Sequence, residues 1–199
     1  LGLIPGDEPE FARDVDKLRT LRAEAGPGPF VETGDDRFLH KALVELTVAA
    51  PLGDLLDVGC GQGRILKLLA SRAKRVVGVD IDSNARRLAR AELLVAGSQN
   101  CSLRQGDMYS LPFDDDEFDT IILDDVMGSA ERPTQAIEES LRLLKPGGRV
   151  IFLSSVEASD AASMRENFAD WAARTGLRLA PPRAIPDKNP GWLLGVATT

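Results

Sequence analysis

The sequence has few of the residues on which several classes of protein depend. It contains two cysteines, Cys60 and Cys101, and one histidine, His40, in 199 residues. A small secreted protein built on disulfides needs more cysteines, and these three residues cannot by themselves complete a four-ligand structural zinc site. We therefore expect neither a disulfide framework nor a metal centre, and this cysteine usage favours a cytoplasmic protein.

Long apolar runs and an excess of positive charge are also missing. No run approaches the roughly 18 apolar residues that a membrane-spanning helix needs. The first five residues lack the basic start and apolar stretch of a signal peptide. The net charge is -7, whereas nucleic-acid binders usually carry a basic face. We expect no membrane contact, no signal peptide and no direct nucleic-acid binding by this chain.

The residues that are present suffice for one folded core. Hydrophobic residues make up 43% of the chain and charged residues 28%, which is typical of a globular protein rather than a disordered or collagenous one. A single domain of this length buries roughly 70% of the surface that its unfolded chain exposes. Such a domain is large enough to contain a ligand pocket.

From Asp54 onward, short apolar runs alternate with helical patterns. The runs that predict strands are residues 55–58, 75–79, 101–105, 118–123, 149–153, 177–180 and 192–197, and the helical patterns are 64–72, 83–96, 134–144 and 161–175. Strands that alternate with helices of this length are typical of βαβ units, while the last two strands have no helix between them. The sequence therefore predicts an α/β, Rossmann-like, doubly wound fold with a mostly parallel seven-stranded sheet and an antiparallel last strand.

The first fifty residues differ from this pattern. Residues 9–24 form a charge-rich helical segment, and the breaker Gly26-Pro27-Gly28-Pro29 follows it. An amphipathic helix is predicted over residues 38–49. We expect a helical extension or linker at 1–35 and a single domain at 36–199. The chain begins with leucine rather than methionine, so we expect a trimmed chain or a piece of a longer protein.

The strongest motif follows the first predicted strand, where Asp57-Val58-Gly59-Cys60-Gly61-Gln62-Gly63 leads into Arg64. Glycines let backbone amides approach a ligand closely, and ligands of such sheets bind beyond the carboxyl ends of the strands. A dinucleotide fingerprint requires glycine or alanine where Arg64 stands. The motif therefore predicts a nucleotide-like ligand and disfavours a nicotinamide cofactor.

Two acidic positions follow the second and third predicted strands. Asp80 lies 21 residues after Gly59, the spacing at which an acid accepts hydrogen bonds from ribose hydroxyls. Its alternative role is that of an acid near a helix N-terminus. Asp107 could accept from an exocyclic amine while Met108 lies on a purine face, although Gly-Asp is by itself also a turn sequence. Both positions are expected at one edge of the sheet.

In this order the motifs resemble the class I S-adenosylmethionine-dependent methyltransferases, and among these the small ubiquinone/menaquinone-methyltransferase-like group. The resemblance covers about residues 36–199 and rests on Asp57–Gly61, Asp80, Gly106–Met108, Leu111–Phe113, Phe118–Asp119 and Leu144–Gly148. It implies S-adenosylmethionine as cofactor, S-adenosylhomocysteine as product and a small-molecule acceptor. It also implies a bacterial, cytoplasmic enzyme.

The resemblance further implies which residues bind the donor. They are Asp57, Gly59, Cys60 and Gly61 for the methionine end, Asp80 for the ribose, Ile81, Asp107 and Met108 for the adenine, and Leu123 and Asp124 for the methionine amino group.

Catalytic candidates lie near the expected position of the methyl group. A protonated acceptor needs a general base, and Asp124, Asp125 and His40 are the candidates. Members of the family often have a histidine where this chain has Gly128, which leaves the acceptor chemistry open. The two aspartates could instead contact the donor's ammonium group or begin the next helix, and His40 could lie on a helix surface. A pair of carboxylates without a further ligand does not predict a metal site.

Residues 1–25 resemble the connector of bacterial fusion proteins in which an arsenic-repressor-type winged-helix domain precedes a methyltransferase domain. That resemblance implies a fused or partner DNA-binding domain, and a homodimer is a further expectation. Two functions therefore stay open: a methyltransferase for a small molecule, and a non-catalytic S-adenosylmethionine sensor within a transcriptional regulator. Both require donor binding, and only the first requires turnover.

Overall fold

The structure is a computed structural model that describes residues 8–25, 37–185 and 191–199. The strands are β1 (Asp54–Val58), β2 (Arg75–Asp80), β3 (Cys101–Gln105), β4 (Phe118–Asp124), β5 (Leu144–Val156), β6 (Arg178–Leu179), β7 (Arg183–Ile185) and β8 (Gly191–Thr198). The α-helices are α1 (Glu8–Ala25), α2 (Arg37–Ala49), α3 (Arg64–Leu69), α4 (Ser83–Ala96), α5 (Pro133–Leu143) and α6 (Ala161–Arg174). The predicted breaker at 26–29 lies outside the described residues.

These strands form one sheet in the order β3-β2-β1-β4-β5-β8-β6, with β7 also paired to β8. Strands β1 to β5 are parallel, and β8 runs antiparallel to β5. The predicted doubly wound α/β fold with an antiparallel last strand is therefore confirmed. The order of the strands reverses at β1, which places a crevice at the carboxyl ends of β1 and β4, where sheets of this kind bind ligands.

The described sheet has eight strands rather than the predicted seven, because its outer edge is split. Strand β6 pairs Leu179 with Ala197, and β7 pairs Arg183 with Leu194, so the register along β8 shifts by one residue between them. The intervening segment contains Pro181 and Pro182. Proline cannot donate to a strand ladder and is confined to edges and bulges. One edge strand is thus interrupted into two.

Helices cover both faces of the sheet, and this gives a rigid base for the loops at its edge. On one face, Phe152 of β5 packs against Phe168 and Trp171 of α6, with ring centroids 5.3 Å and 6.2 Å away. On the other face, Leu39 of α2 and Ile65 of α3 are fully buried in a second cluster. Strands buried on both faces explain why the predicted strands appear as continuous apolar runs.

Helix α1 confirms the helical pattern predicted for residues 9–24, and it packs on α4. Val15 is buried there, and Arg87 of α4 forms ion pairs with Glu10, at 3.3 Å, and with Asp14. The described part of the predicted extension is therefore attached to the sheet domain. Among the described helices, none combines the length and the apolar character that crossing a membrane requires.

Candidate functional site

A pocket of about 540 Å³ opens at the carboxyl ends of β1 to β4, at the crevice that the strand order creates. Its volume lies within the range of small-molecule sites. It is lined by Val58, Gly59, Val79, Asp80, Ile81, Gly106, Asp107, Met108, Tyr109, Asp124, Asp125, Val126, Ser129 and Glu131. The predicted residues after β1, β2, β3 and β4 thus meet around one cavity.

The glycine loop after β1 forms the floor of this pocket. The backbone N–H groups of Gly59 and Cys60 both donate to the carbonyl oxygen of Val79, at 2.8 Å and 3.0 Å. Gly59 has φ +80°, and a Cβ there would lie 2.0 Å from Cγ1 of Val126 and 3.1 Å from the carbonyl oxygen of Asp124. Only glycine lets the loop pass this close to the segment after β4.

The carboxylate of Asp80 is held in place by backbone donors. Its Oδ2 accepts from the N–H of Gly61 at 2.8 Å, and its Oδ1 accepts from the N–H of Asp82 at 2.9 Å. The alternative role for Asp80, capping the next helix, belongs to Asp82, whose side chain accepts from the N–H of Asn84 at 2.8 Å. Asp80 is therefore fixed at the pocket wall, and a carboxylate has lone pairs for further hydroxyl donors.

Asp107, Met108 and Ile81 line the adjoining end of the pocket. Oδ1 of Asp107 accepts from the N–H of Tyr109 at 3.0 Å, so this aspartate also stabilises a turn, as its sequence context indicates. Ile81 is 69% exposed although it is large and apolar. An exposed isoleucine beside a methionine offers an apolar surface on which a flat ring can lie.

Deeper in the site, Asp57, Asp124 and Arg64 form a buried charge cluster. Asp57 is completely buried, and among the described residues neither of its carboxylate oxygens has a hydrogen-bond partner. Burial raises the pKa of Asp57 well above its usual range, the Asp124 carboxylate raises it further, and Arg64 opposes both effects. Oδ1 of Asp124 accepts from Nη2 of Arg64 at 3.0 Å. Two carboxylates thus share one guanidinium, an arrangement that favours binding of a further cation.

Asp125 presents a second oriented carboxylate to the pocket. Its Oδ1 accepts from the N–H of Ser155 at 2.8 Å, and its Oδ2 accepts from the hydroxyl of Ser155 at 2.7 Å. Its backbone has φ +56°, a left-handed conformation that aspartate tolerates better than most residues. The ends of β4 and β5 therefore fix the direction of this side chain.

This chain matches one protein-family model and is similar to curated proteins of known name. Residues 56–152 match the model of a family described as a methyltransferase domain. A demethylmenaquinone methyltransferase of Clavibacter sepedonicus is 31% identical over 122 residues, which cover 61% of this chain and 49% of the relative. The ubiquinone/menaquinone biosynthesis C-methyltransferase UbiE of Pseudomonas paraeruginosa is 31% identical over 132 residues, covering 64% and 52%. The chain thus spans about half the length of these curated relatives.

Solved structures of methyltransferases have the same fold as this chain. A SAM-dependent methyltransferase from Aquifex aeolicus superposes with a TM-score of 0.70 at 16% identity, covering 92% of this chain and 97% of that one. The N-methyltransferase NodS from Bradyrhizobium japonicum, in complex with S-adenosylhomocysteine, gives 0.68 at 18% identity, covering 96% and 97%. Our chain has the class I S-adenosylmethionine-dependent methyltransferase fold. The matched family model, these two relatives and these two structures are all described as methyltransferases, and the NodS structure contains S-adenosylhomocysteine.

The site of this methyltransferase fold fits such a donor on its own geometry. Asp57 is a buried carboxylate that accepts no hydrogen bond from any described residue, and the donor carries an ammonium group and a positive sulfur. Gly59 has no side chain, and a Cβ at this position would overlap Cγ1 of Val126. Asp107 and Asp124 line the same pocket.

Some predicted site residues of the methyltransferase fold do not line this pocket. Asp57 and Gly61 are not among its lining residues. Leu123 is buried in the core, and His40 lies half-buried on α2. Cys60 is buried beneath the loop, where desolvation and then the Asp57 carboxylate raise the pKa of its thiol. A protonated, buried thiol is a poor nucleophile, so Cys60 acts as a small packing residue.

Sequence reasoning missed several residues of the site. The pocket-lining side chains it did not single out are Val79, Tyr109, Val126, Ser129 and Glu131, and the contacts it did not foresee are those of Arg64 and Ser155. The lining residues lie close in sequence to predicted site positions, so extending each motif by a few residues would have included them. The two contacts join residues 60 and 30 positions apart, and a motif carries no signal for them.

Proposed function

We propose that this chain transfers the methyl group of S-adenosylmethionine to a small-molecule acceptor. The observation that carries the proposal is one pocket at the switch point of the sheet, to which the glycine loop, Asp80, Asp107 and Asp124 all contribute. These segments are far apart in sequence, and the resemblance had assigned each of them to a different part of the same donor. Their convergence on a cavity of suitable size supports a single donor site.

In this proposal each polar group binds one part of the donor. Asp80 accepts from the ribose hydroxyls, because Gly61 and Asp82 already hold its carboxylate at the wall. Asp107 and Met108 contact the adenine, with Ile81 against its ring. The buried pair of carboxylates beneath the loop receives the ammonium group, because a cation there favours the ionised form of Asp57, which burial and the Asp124 carboxylate disfavour.

The chain's own contribution to catalysis is positioning and proton removal. When bound, the donor supplies a methyl group already activated by the positive sulfur. The protein then has to align the acceptor and exclude water. We assign the general base to Asp125 rather than Asp124, because Asp124 is bound to Arg64 whereas Asp125 is oriented by Ser155 at the pocket wall. His40 does not line the pocket and has no part in this assignment.

A phenolic ring of the demethylmenaquinol type is the first acceptor to test. These two relatives are named as methyltransferases of menaquinone and ubiquinone biosynthesis, and each is 31% identical to this chain, over 122 and 132 residues. A hydroquinone must lose a phenolic proton as its ring carbon is methylated, which gives Asp125 a defined task. A cytoplasmic location, a homodimer and a DNA-binding domain joined through residues 1–25 stay predictions from the sequence.

Methyl transfer can be measured with S-adenosylmethionine tritiated in its methyl group and a short-chain 2-prenyl-1,4-naphthohydroquinone. We expect tritium in the extracted naphthoquinone with the wild-type protein and with Asp170→Ala, a substitution on the exposed side of α6. We expect none above background with Asp80→Ala. Donor binding without transfer by the wild type would overturn the acceptor proposed here and would favour a sensor.

A further inference from the structure

Three elements meet at the guanidinium of Arg64, the first residue of α3. Its central carbon lies 4.1 Å from the ring centroid of Trp192 at the start of β8. Its Nη2 donates to Oδ1 of Asp124 at the end of β4, at 3.0 Å. The Arg64 side chain is 29% exposed and that of Asp124 is 7% exposed. The guanidinium therefore has the indole on its face and a nearly buried carboxylate at its edge.

This arrangement differs from an ordinary surface ion pair in what surrounds it. Asp57 lies beside the pair, buried and without a hydrogen-bond partner, and repels Asp124. Without the guanidinium, two like charges would share one desolvated space, and Asp124 would turn away or take up a proton. Arginine also suits the position better than lysine, because its planar group can stack on a ring and hold a carboxylate at once.

We propose that Arg64, clamped by Trp192, is a positioning residue that orients Asp124 toward the amino-acid end of the donor. The inference rests on the proposed donor site and goes beyond it, because neither Arg64 nor Trp192 lines the pocket. In this proposal Arg64 acts on the donor through Asp124. The adenosine half of the donor, placed at Asp80 and Asp107, should not depend on it.

The test compares ligands that have and lack the amino-acid end. Calorimetry with S-adenosylmethionine, S-adenosylhomocysteine and 5′-methylthioadenosine is carried out on the wild type, Arg64→Gln, Arg64→Lys, Trp192→Ala and Trp192→Phe. The matched control is Lys67→Gln, which removes the same charge one turn further along α3, where Lys67 pairs with Glu92 at 3.2 Å.

For Arg64→Gln and Trp192→Ala, we expect affinity for the two ligands with an amino-acid end to fall by about tenfold or more, as for the loss of a charge-assisted hydrogen bond. Affinity for 5′-methylthioadenosine should stay within about twofold of the wild type. Arg64→Lys should recover part of the loss, because it keeps the charge without the planar fork. Trp192→Phe should recover most of it, since an aromatic face remains. Lys67→Gln should bind all three ligands normally.

Equal losses for all three ligands would overturn the inference, since Arg64 would then support the whole site and not one end of it. Unchanged binding in every variant would overturn it as well. If Arg64→Gln fails to fold, Trp192→Phe and Arg64→Lys give the same comparison with smaller effects. A wild type that binds none of the ligands would instead contradict the proposed function, so the two failures are distinguishable.

Discussion

Single glycines in this chain show how a residue without a side chain can define a site. Gly59 and Gly97 both have positive φ angles, +80° and +71°, which other residues adopt reluctantly. They differ in their surroundings, because a Cβ at Gly97 would meet nothing within 4 Å whereas one at Gly59 would collide with Val126. A substitution at Gly97 therefore tests backbone strain alone, whereas a substitution at Gly59 tests backbone strain together with steric overlap.

We predict that Gly97→Ala lowers the free energy of unfolding by about 1–2 kcal/mol, the strain of a left-handed conformation. Gly59→Ala should lower it by a further ~1–3 kcal/mol through overpacking, and it should weaken donor binding because the loop moves. Urea unfolding and calorimetry measure both quantities. Equal destabilisation by the two substitutions would show that the loop is not confined as the structure describes.

Asp125 offers a second test at the scale of one residue. Asparagine tolerates its positive φ and can still bind Ser155, so Asp125→Asn removes the base and little else. We predict that kcat falls on the order of 100-fold while the dissociation constant of S-adenosylmethionine stays within about twofold. Asp116→Asn is the matched control, since Asp116 has φ +54° and does not line the pocket. A kcat that Asp125→Asn leaves unchanged would remove Asp125 from the mechanism.

At the scale of elements, α5 holds the loop that carries part of the site. Arg142 of α5 donates to the carbonyl oxygens of Phe113 and Leu111, at 3.0 Å and 3.3 Å, and to the carboxylate of Glu139. Glu139 in turn accepts from the N–H of Leu111 at 2.7 Å. The Arg142 guanidinium, partly opposed by burial, holds the pKa of Glu139 below its usual range. The loop after Asp107 and Met108 is thus fastened to a helix.

Replacing Arg142 by alanine should free this loop. We predict a loss of about 1–2 kcal/mol in the free energy of unfolding, reduced by partial solvent screening, and faster hydrogen exchange at Leu111 and Phe113. Arg174→Ala, which removes an exposed i,i+4 pair with Asp170, should change stability by less than about 0.5 kcal/mol. Unaltered exchange at Leu111 in Arg142→Ala would show that other contacts hold the loop.

Most elements could be predicted from the sequence because parallel strands buried on both faces leave a strong apolar signal. The helix Ser83–Ala96 and the strand Cys101–Gln105 were predicted with the observed bounds. Strand β5 begins at Leu144, five residues before the prediction, because Lys145-Pro146-Gly147-Gly148 has the composition of a turn and its pairing with β4 is a tertiary contact. Strand β7 was missed because three residues after a proline pair give no periodic pattern.

The convergence of the proposed donor-binding residues on one pocket could be predicted for a related reason. The glycine loop, Asp80 and Asp107 each follow a strand directly, and the carboxyl ends of parallel strands meet at one edge. The bonds that orient the acids could not be predicted, since Arg64 reaches Asp124 from another element and Ser155 reaches Asp125 from the next strand. Tertiary packing brings Arg64 to Asp124 and Ser155 to Asp125, and the local sequence around each residue does not indicate these contacts.

For the whole molecule, the buried Asp57 makes stability depend on pH. Its pKa is raised in the folded state, so the fold retains a proton that the unfolded chain releases near the ordinary value of 3.8. The contribution of Asp57 to stability is therefore present below that value and is lost as the pH rises toward the raised pKa. In the proposed donor complex, the ammonium group of the ligand brings an opposite charge close to Asp57.

We predict that Asp57→Asn has a smaller loss of melting temperature between pH 5 and pH 8, as scanning calorimetry measures, than the wild type has. At pH 8 the variant should be the more stable protein, and it should bind S-adenosylmethionine more weakly. A substitution that raises stability but weakens ligand binding indicates that the original residue serves binding and destabilises the fold. Parallel stability profiles for the two proteins would mean that Asp57 titrates alike in the folded and unfolded states.

The central claim is that this chain binds S-adenosylmethionine in the pocket between the glycine loop and Asp80, and calorimetric titration of the donor tests it most directly. The account predicts saturable binding with a dissociation constant on the order of micromolar to the wild type and to Asp170→Ala. It predicts at least about a tenfold loss in Asp80→Ala, which lacks the carboxylate held by Gly61 and Asp82. Absence of binding to the folded wild type, or equal binding to Asp80→Ala, would contradict it.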